Sequence, residues 1–163
     1  MSEHDDNNHA ERILGIVASC LEERGMKFGR CPVAPAVLFL CHTKSAIHSC
    51  VISVRESRAL LRCMLYVACR VPPEKRAAAA ELFTRINYGL PLGTFEMDFS
   101  DGEICYRTGI DVTGGDLASE MVTSLIAATV GTVDRYYPAI MSFLWSDMAP
   151  EDAVAMVEES PKE

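Results

Sequence analysis

Apolar residues recur at helical spacing over 11–24, where Ile13, Leu14, Val17 and Leu21 form a stripe flanked by Ile16 and Cys20. Glu22, Glu23 and Arg24 lie near its end, and Gly25 is a natural stop. From Ala36 to Val71 the pattern becomes that of strands. Val37–Cys41 is a short apolar run between Pro35 and the polar His42–Ser45, and Ile47–Val54 is rich in β-branched residues. The next segment alternates most clearly. Leu61, Cys63, Leu65, Val67, Cys69 and Val71 share one face, and Leu60, Arg62, Met64, Tyr66, Ala68 and Arg70 share the other. That second face is mixed rather than polar, so something partly covering it is expected. Pro72 and Pro73 end the strand, because proline donates nothing to a ladder.

Glu74–Tyr88 has the spacing of a helix that buries Ala79, Leu82, Phe83 and Ile86 and stops at Gly89 and Pro91. A hairpin follows. Phe95, Met97 and Phe99 alternate with Glu96 and Asp98, Asp101-Gly102 is a turn dipeptide, and Ile104, Tyr106, Thr108, Ile110 and Val112 alternate with polar neighbours. A two-residue loop pairs Ser100 with Glu103 and Phe99 with Ile104, and sets Glu96 opposite Arg107 on the polar face. Asp116, after the Thr113-Gly114-Gly115 loop, is a candidate N-cap. Residues 117–144 then have the period of a long helix, with Leu117, Met121, Leu125, Ala128, Tyr136, Ile140 and Phe143 inward and Val122, Ile126, Val130, Val133, Tyr137 and Leu144 widening the stripe. No charge falls between Met121 and Val133, which predicts a largely buried helix, and Pro138 should bend or break it. A short acidic helix, Pro150–Val157, closes the chain. The order α-β-β-β-α-β-β-α, with short links, predicts an α+β fold: an antiparallel sheet of about five strands with helices on one face. Residues 11–157 form the single expected domain, between flexible acidic tails at 1–10 and 158–163.

Composition adds bounds. The chain has 163 residues, 49% of them hydrophobic and 23% charged, which suits one soluble domain with its own core. The net charge of −8 lies in the ends: residues 1–12 come to −3, residues 145–163 to −5, and the rest to zero. A chain without surplus lysine and arginine suits neither nucleic acid nor an anionic membrane. The polar start has no signal-peptide core, and Cys31–Cys41 is too short and proline-interrupted to span a bilayer, so a cytoplasmic location is expected. Within the domain, residues 13–86 carry +6 and residues 87–144 carry −6. The halves therefore complement each other, or Arg55, Arg58, Arg62 and Arg70 make a basic patch for an acidic partner.

Reactive chemistry is sparse. The seven cysteines have no C-x-x-C spacing, and they suit reduced apolar fillers better than a redox sensor. Glu96, Asp98, Asp101, Glu103 and Asp111 are the densest carboxylates, but alternation leaves Glu96 and Asp98 solvated. His42 and His48, near Cys41 and Cys50, would hold a metal only if their strands registered suitably. No nucleophile elbow and no phosphate-loop motif is present, and Gly114-Gly115 before a helix is better taken as a loop than as an anion site. No catalytic residue, cofactor or metal is expected. Trp145, the single tryptophan, stands at the junction with the acidic tail as a candidate contact residue.

The run Arg85-Ile-Asn-Tyr-Gly-Leu-Pro-Leu-Gly-Thr-Phe-Glu-Met-Asp-Phe-Ser-Asp-Gly-Glu-Ile-Cys-Tyr-Arg-Thr108 resembles the centre of the YbjN-like domains, described as bacterial sensory transduction regulators. Val133-Asp-Arg-Tyr-Tyr-Pro-Ala-Ile140, with Leu144-Trp145 and Ala149-Pro-Glu-Asp-Ala153, resembles their C-terminal helix and tail. The first strand departs, being rich in cysteine and leucine where family members often carry aromatics. The resemblance implies a fold like that of type III secretion chaperones, often dimeric, a binding or regulatory role, and no catalytic residues to carry over. The expected function is a non-enzymatic, chaperone- or adaptor-like protein-binding module, homodimeric as the resemblance implies. Arg62, Met64, Tyr66, Arg70 and Trp145 are its candidate partner-binding residues. The alternative is a small-molecule or metal sensor using His42, His48, Cys41 or Cys50.

Overall fold

The computed structural model describes residues 3–55, 60–113 and 115–159. Within these the chain forms α1 (Glu3–Glu23), β1 (Phe28–Arg30), β2 (Ala36–His42), β3 (Ile47–Arg55), β4 (Leu60–Arg70), α2 (Arg76–Tyr88), β5 (Thr94–Met97), β6 (Glu103–Asp111), α3 (Ser119–Trp145) and α4 (Pro150–Glu158). One antiparallel sheet runs in the order β1-β2-β3-β4-β6-β5. Helix α1 packs on β2 and β3, α3 on β4 and β6, and α2 on β5, while α4 closes against α2 and α3. The helices thus occupy one face, and the core lies between them and the inner pleat of the sheet. That pleat supplies Val37, Phe39, Ile52, Leu61 and Leu65, all buried, as period-two alternation requires. An aromatic seam continues the core, with the Phe95 ring 4.7 Å from Tyr106 and 5.8 Å from Phe83.

The α+β class and the inward stripe of α2 (Ala79, Leu82, Phe83, Ile86) follow the sequence pattern. Six details differ. Helix α1 starts at Glu3, so residues 3–10 of the expected tail are helical and Ala10 is buried; Glu158 likewise belongs to α4. Strand β1 was not expected: Phe28-Gly29-Arg30 is too short for alternation to show, and pairing with β2 creates it. In the hairpin, Met97 lies opposite Ile104 and the Asp98 N–H donates to the Glu103 carbonyl at 2.9 Å. The register is therefore shifted by two from the expected one, and Phe99 sits in the loop, exposed. Gly102, at φ 77°, is the last loop residue rather than half of a two-residue turn. A shift of two keeps every side chain on its face, so Glu96 still reaches Arg107, at 2.7 Å.

Helix α3 is capped by Ala118, not Asp116, which pairs with Arg12 at 3.3 Å instead. Its buried stripe is Val122, Leu125, Thr129, Val133 and Tyr136, turned so that Met121 is exposed and Ala128 half-buried. The Thr129 hydroxyl explains part of the turn, since it meets the Thr108 hydroxyl at 2.7 Å beneath the sheet. The helix is not broken at Pro138, which is exposed, where a missing N–H bond can be replaced by water. The charge-free stretch is likewise not fully buried, since Met121, Ser124, Ala127 and Gly131 face outward.

Candidate functional site

The helices leave the outer pleat of the sheet without a covering layer among the described residues. The registers assemble its side chains into rows. Leu38, Val51, Met64 and Arg107 are successive cross-strand neighbours on β2, β3, β4 and β6. The next row is Leu40, Ser49, Tyr66 and Cys105, and on the other side Ala36, Ser53, Arg62 and Gly109. Leu38 is 45% exposed, Leu40 59% and Ile47 52%, while Met64 and Tyr66 are half-buried by their neighbours. Large apolar side chains side by side on an open sheet face mark an interaction surface.

Arg62 lies in this surface. Its stem passes over Gly109, where a Cβ would stand 3.8 Å from its Cγ. Its Nη2 donates to the Ser53 hydroxyl at 3.3 Å, and its Nε is buried without a partner. No described carboxylate pairs with it, although its neighbours are neutralised: Arg107 by Glu96, and Arg70 by Asp101 and Glu103. A half-buried guanidinium with an unmet donor is a ready anchor for a carboxylate. Burial, first of all, raises the Tyr66 hydroxyl pKa, so it stays a neutral hydrogen-bonding group.

Three of the five candidate contact residues, Arg62, Met64 and Tyr66, therefore share this face. Arg70 lies beyond the irregularity that shifts the β4–β6 register between Tyr66 and Arg70, and its charge is engaged. Trp145, 77% exposed, ends α3 in the helical layer. Of the basic patch, Arg55 is exposed at the end of β3 and Arg58 lies outside the described residues. Leu38, Leu40, Ile47 and Val51 were missed as surface residues, because two apolar faces on one strand carry no signal of which one a helix will cover.

The remaining chemical candidates do not converge. His42 is exposed on the outer face, while His48 is buried on the inner face opposite Cys41. The His48 Nδ1 accepts the Ala68 N–H at 3.1 Å, its ring meets the Tyr137 edge at 5.3 Å, and its Nε2 has no partner. No group of three or more His, Cys, Asp or Glu among the described residues is arranged to hold a metal ion. Hydrogen bonds to Cys41 and Cys63, with burial, raise the Cys50 thiol. Burial pushes Cys69 up to about 11 and Cys105 up to about 12. These three are thus protonated at neutral pH, unlike a reactive thiolate. Asp98, Asp101 and Asp111 are held below the usual carboxylate range by hydrogen bonds from Ser100, Glu103 and Thr113 respectively, and stay ionised. With Glu96 and Glu103 paired to arginines, the carboxylates serve the hairpin and loops. Gly115 precedes the first residue of α3 by four positions and Gly114 lies outside the described residues, so the glycine pair does not open that helix. No described helix is long and apolar enough to cross a membrane.

A family model described as "YbjN: Putative bacterial sensory transduction regulator" matches residues 14–142. Among solved structures the chain is similar to one titled "Crystal structure of YbjN, a putative transcription regulator from E. coli". The identity is 14%, the TM-score 0.52, and the match covers 72% of this chain and 83% of that one. No curated protein matches.

Proposed function

The chain belongs to the YbjN family, and on that footing we propose that it is a non-enzymatic regulator that works by binding another protein on the open face of its sheet. The observation that carries the reading is Arg62: a guanidinium without a carboxylate partner among the described residues, on the same sheet face as Leu38, Val51 and Met64. Apolar area supplies affinity, and a desolvated charge supplies specificity by penalising partners that leave it unmatched. The partner surface is accordingly apolar with an acidic residue placed to meet Arg62. A phosphate backbone fits this face less well, because Arg107 is already neutralised by Glu96. The family description supports a regulatory role, and the protonated Cys69 and Cys105 thiols and the engaged hairpin carboxylates support a binding rather than a catalytic one.

Affinity capture from the native cytoplasm with the full chain, and with Arg62→Glu and Leu40→Asp, tests the reading. The expected result is a defined protein retained by the natural chain and lost with both variants, each still folded by circular dichroism. Equal retention by all three, or none by the natural chain, overturns it.

A further inference from the structure

A second surface lies at the other side of the molecule, on the edge of β6. Strand β5 begins at Thr94, opposite Arg107, so among the described residues Thr108–Asp111 have a strand partner, β4, on one side only. Gly93 creates this gap. At φ 77° it turns the incoming chain inward, and a Cβ there would lie 2.6 Å from the Thr108 methyl and 2.7 Å from the Arg107 carbonyl. Leu92 accordingly drops to the helix side, where its carbonyl accepts the buried Tyr106 hydroxyl. The bond between Asp98 and Glu103 fixes which way the backbone groups point. In an antiparallel ladder they alternate, so Glu103, Cys105 and Arg107 turn theirs toward β5, and Gly109 and Asp111 turn theirs toward the vacant side. Both residues are exposed.

Beside this edge, between β6 and α3, is an apolar hollow of about 420 Å³ lined by Leu92, Ile110, Met121, Leu125 and Ala128. Its rim carries charge of one sign. Glu120 borders the hollow and Asp111 ends the strand, and neither has a cationic partner among the described residues. We infer that the β6 edge at Gly109–Asp111 is a docking site for an extended segment of another protein, one that pairs as an added strand, places an apolar side chain in the hollow beside Ile110, and carries lysine or arginine next to that anchor.

Each feature selects part of that occupant. Open backbone groups select an extended chain; the hollow selects an apolar side chain every second residue; Asp111 and Glu120 select flanking cations. The site is distinct from the open face and does not depend on the reading given for it.

The test uses the full chain and the probe acetyl-Lys-Val-Leu-Val-Lys-amide. Amide exchange in the free protein should be fast at Gly109 and Asp111 and slow down when the peptide is added. The same peptide N-methylated at alternate residues cannot complete the ladder and should bind at least about tenfold more weakly, the loss of one or two hydrogen bonds. Ala128→Arg, which fills the hollow and repels the lysines, should weaken binding by a similar factor, whereas Arg62→Glu on the open face should leave it unchanged. Protection of Gly109 and Asp111 in the free protein, equal binding of the N-methylated peptide, shifts centred on Met64 and Tyr66, or no binding at millimolar peptide would each overturn the inference. The N-methylated arm leaves the protein unaltered, so a misfolded variant cannot mask the answer.

Discussion

Asn87 shows how one side chain can hold two elements together. Its Nδ2 donates to the Phe95 carbonyl at 2.9 Å, and its Oδ1 accepts the Phe95 N–H at 2.7 Å. The amide thus stands in for a neighbouring strand at the outer edge of β5, and locks α2 to the sheet where Phe95 enters the core. That gives a physical reason for an asparagine in the Arg85–Thr108 run. Replacing it leaves two backbone groups of a buried residue without partners, so Asn87→Ala is expected to cost about 1–3 kcal/mol, measured as a shift in the urea midpoint at constant slope. His48 makes a pH prediction at the same scale. Burial holds its pKa down, while Asp134 opposes the shift; Cys41 and Tyr137 are its other neighbours, and Ala68 donates to it. A histidine with a folded pKa below its unfolded value, about 6.5, binds its proton more readily when unfolded. Its contribution is therefore whole above that pH and is lost as pH falls from there toward the folded pKa. Unfolding curves at neutral and mildly acidic pH should show the natural chain losing more stability on acidification than His48→Gln, which keeps an acceptor and removes the titration. An equal loss in both would contradict this.

At the scale of elements, the hairpin shows what a pattern can and cannot fix. Period two placed Phe95, Ile104 and Tyr106 inward and Glu96 and Arg107 outward, and those faces hold. The loop length was not legible, because Asp-Gly can form a two-residue turn or end a longer one, and both keep the parity. Long-range geometry decides between them. The Val71 N–H donates to the Gly102 carbonyl at 2.8 Å, which pulls the loop against the end of β4. A Cβ on Gly102 would lie 2.0 Å from the Val71 carbonyl oxygen, on a residue already at positive φ. Gly102→Ala is therefore expected to cost more than about 2 kcal/mol, from backbone strain plus the clash. Gly15→Ala, inside α1 with open space at its Cβ, should instead stabilise by about 0.5–1 kcal/mol. Thermal melts of both variants check the contrast, and a neutral Gly102→Ala would contradict the loop assignment. The start of α3 was misjudged for a related reason. Asp116 is a good cap by type, yet its charge is drawn to Arg12, and the helix waits for the extended backbone of Ala118.

For the whole molecule, the charge halves and the two apolar strand faces have different fates. The halves meet through Arg70, which pairs with both Asp101 and Glu103, a complementarity the sequence already implied. The two faces of the sheet look alike in sequence but only one is covered, so folding and binding should be separable. Ile52, fully buried, and Leu40, more than half exposed, sit on adjacent strands of opposite pleat. Ile52→Ala opens a cavity under the helices and should cost about 2–5 kcal/mol. Leu40→Ser removes a side chain that meets solvent in the free chain and should change stability by no more than about 0.5 kcal/mol. Dilution makes the comparison decisive. If a second copy of the chain covered the outer pleat in solution, Leu40→Ser would cost several times more, the cost would grow with protein concentration, and sedimentation would show the dimer dissociating. A small cost independent of concentration leaves Leu40 and its neighbours available to a different protein, the condition on which binding through the open face depends.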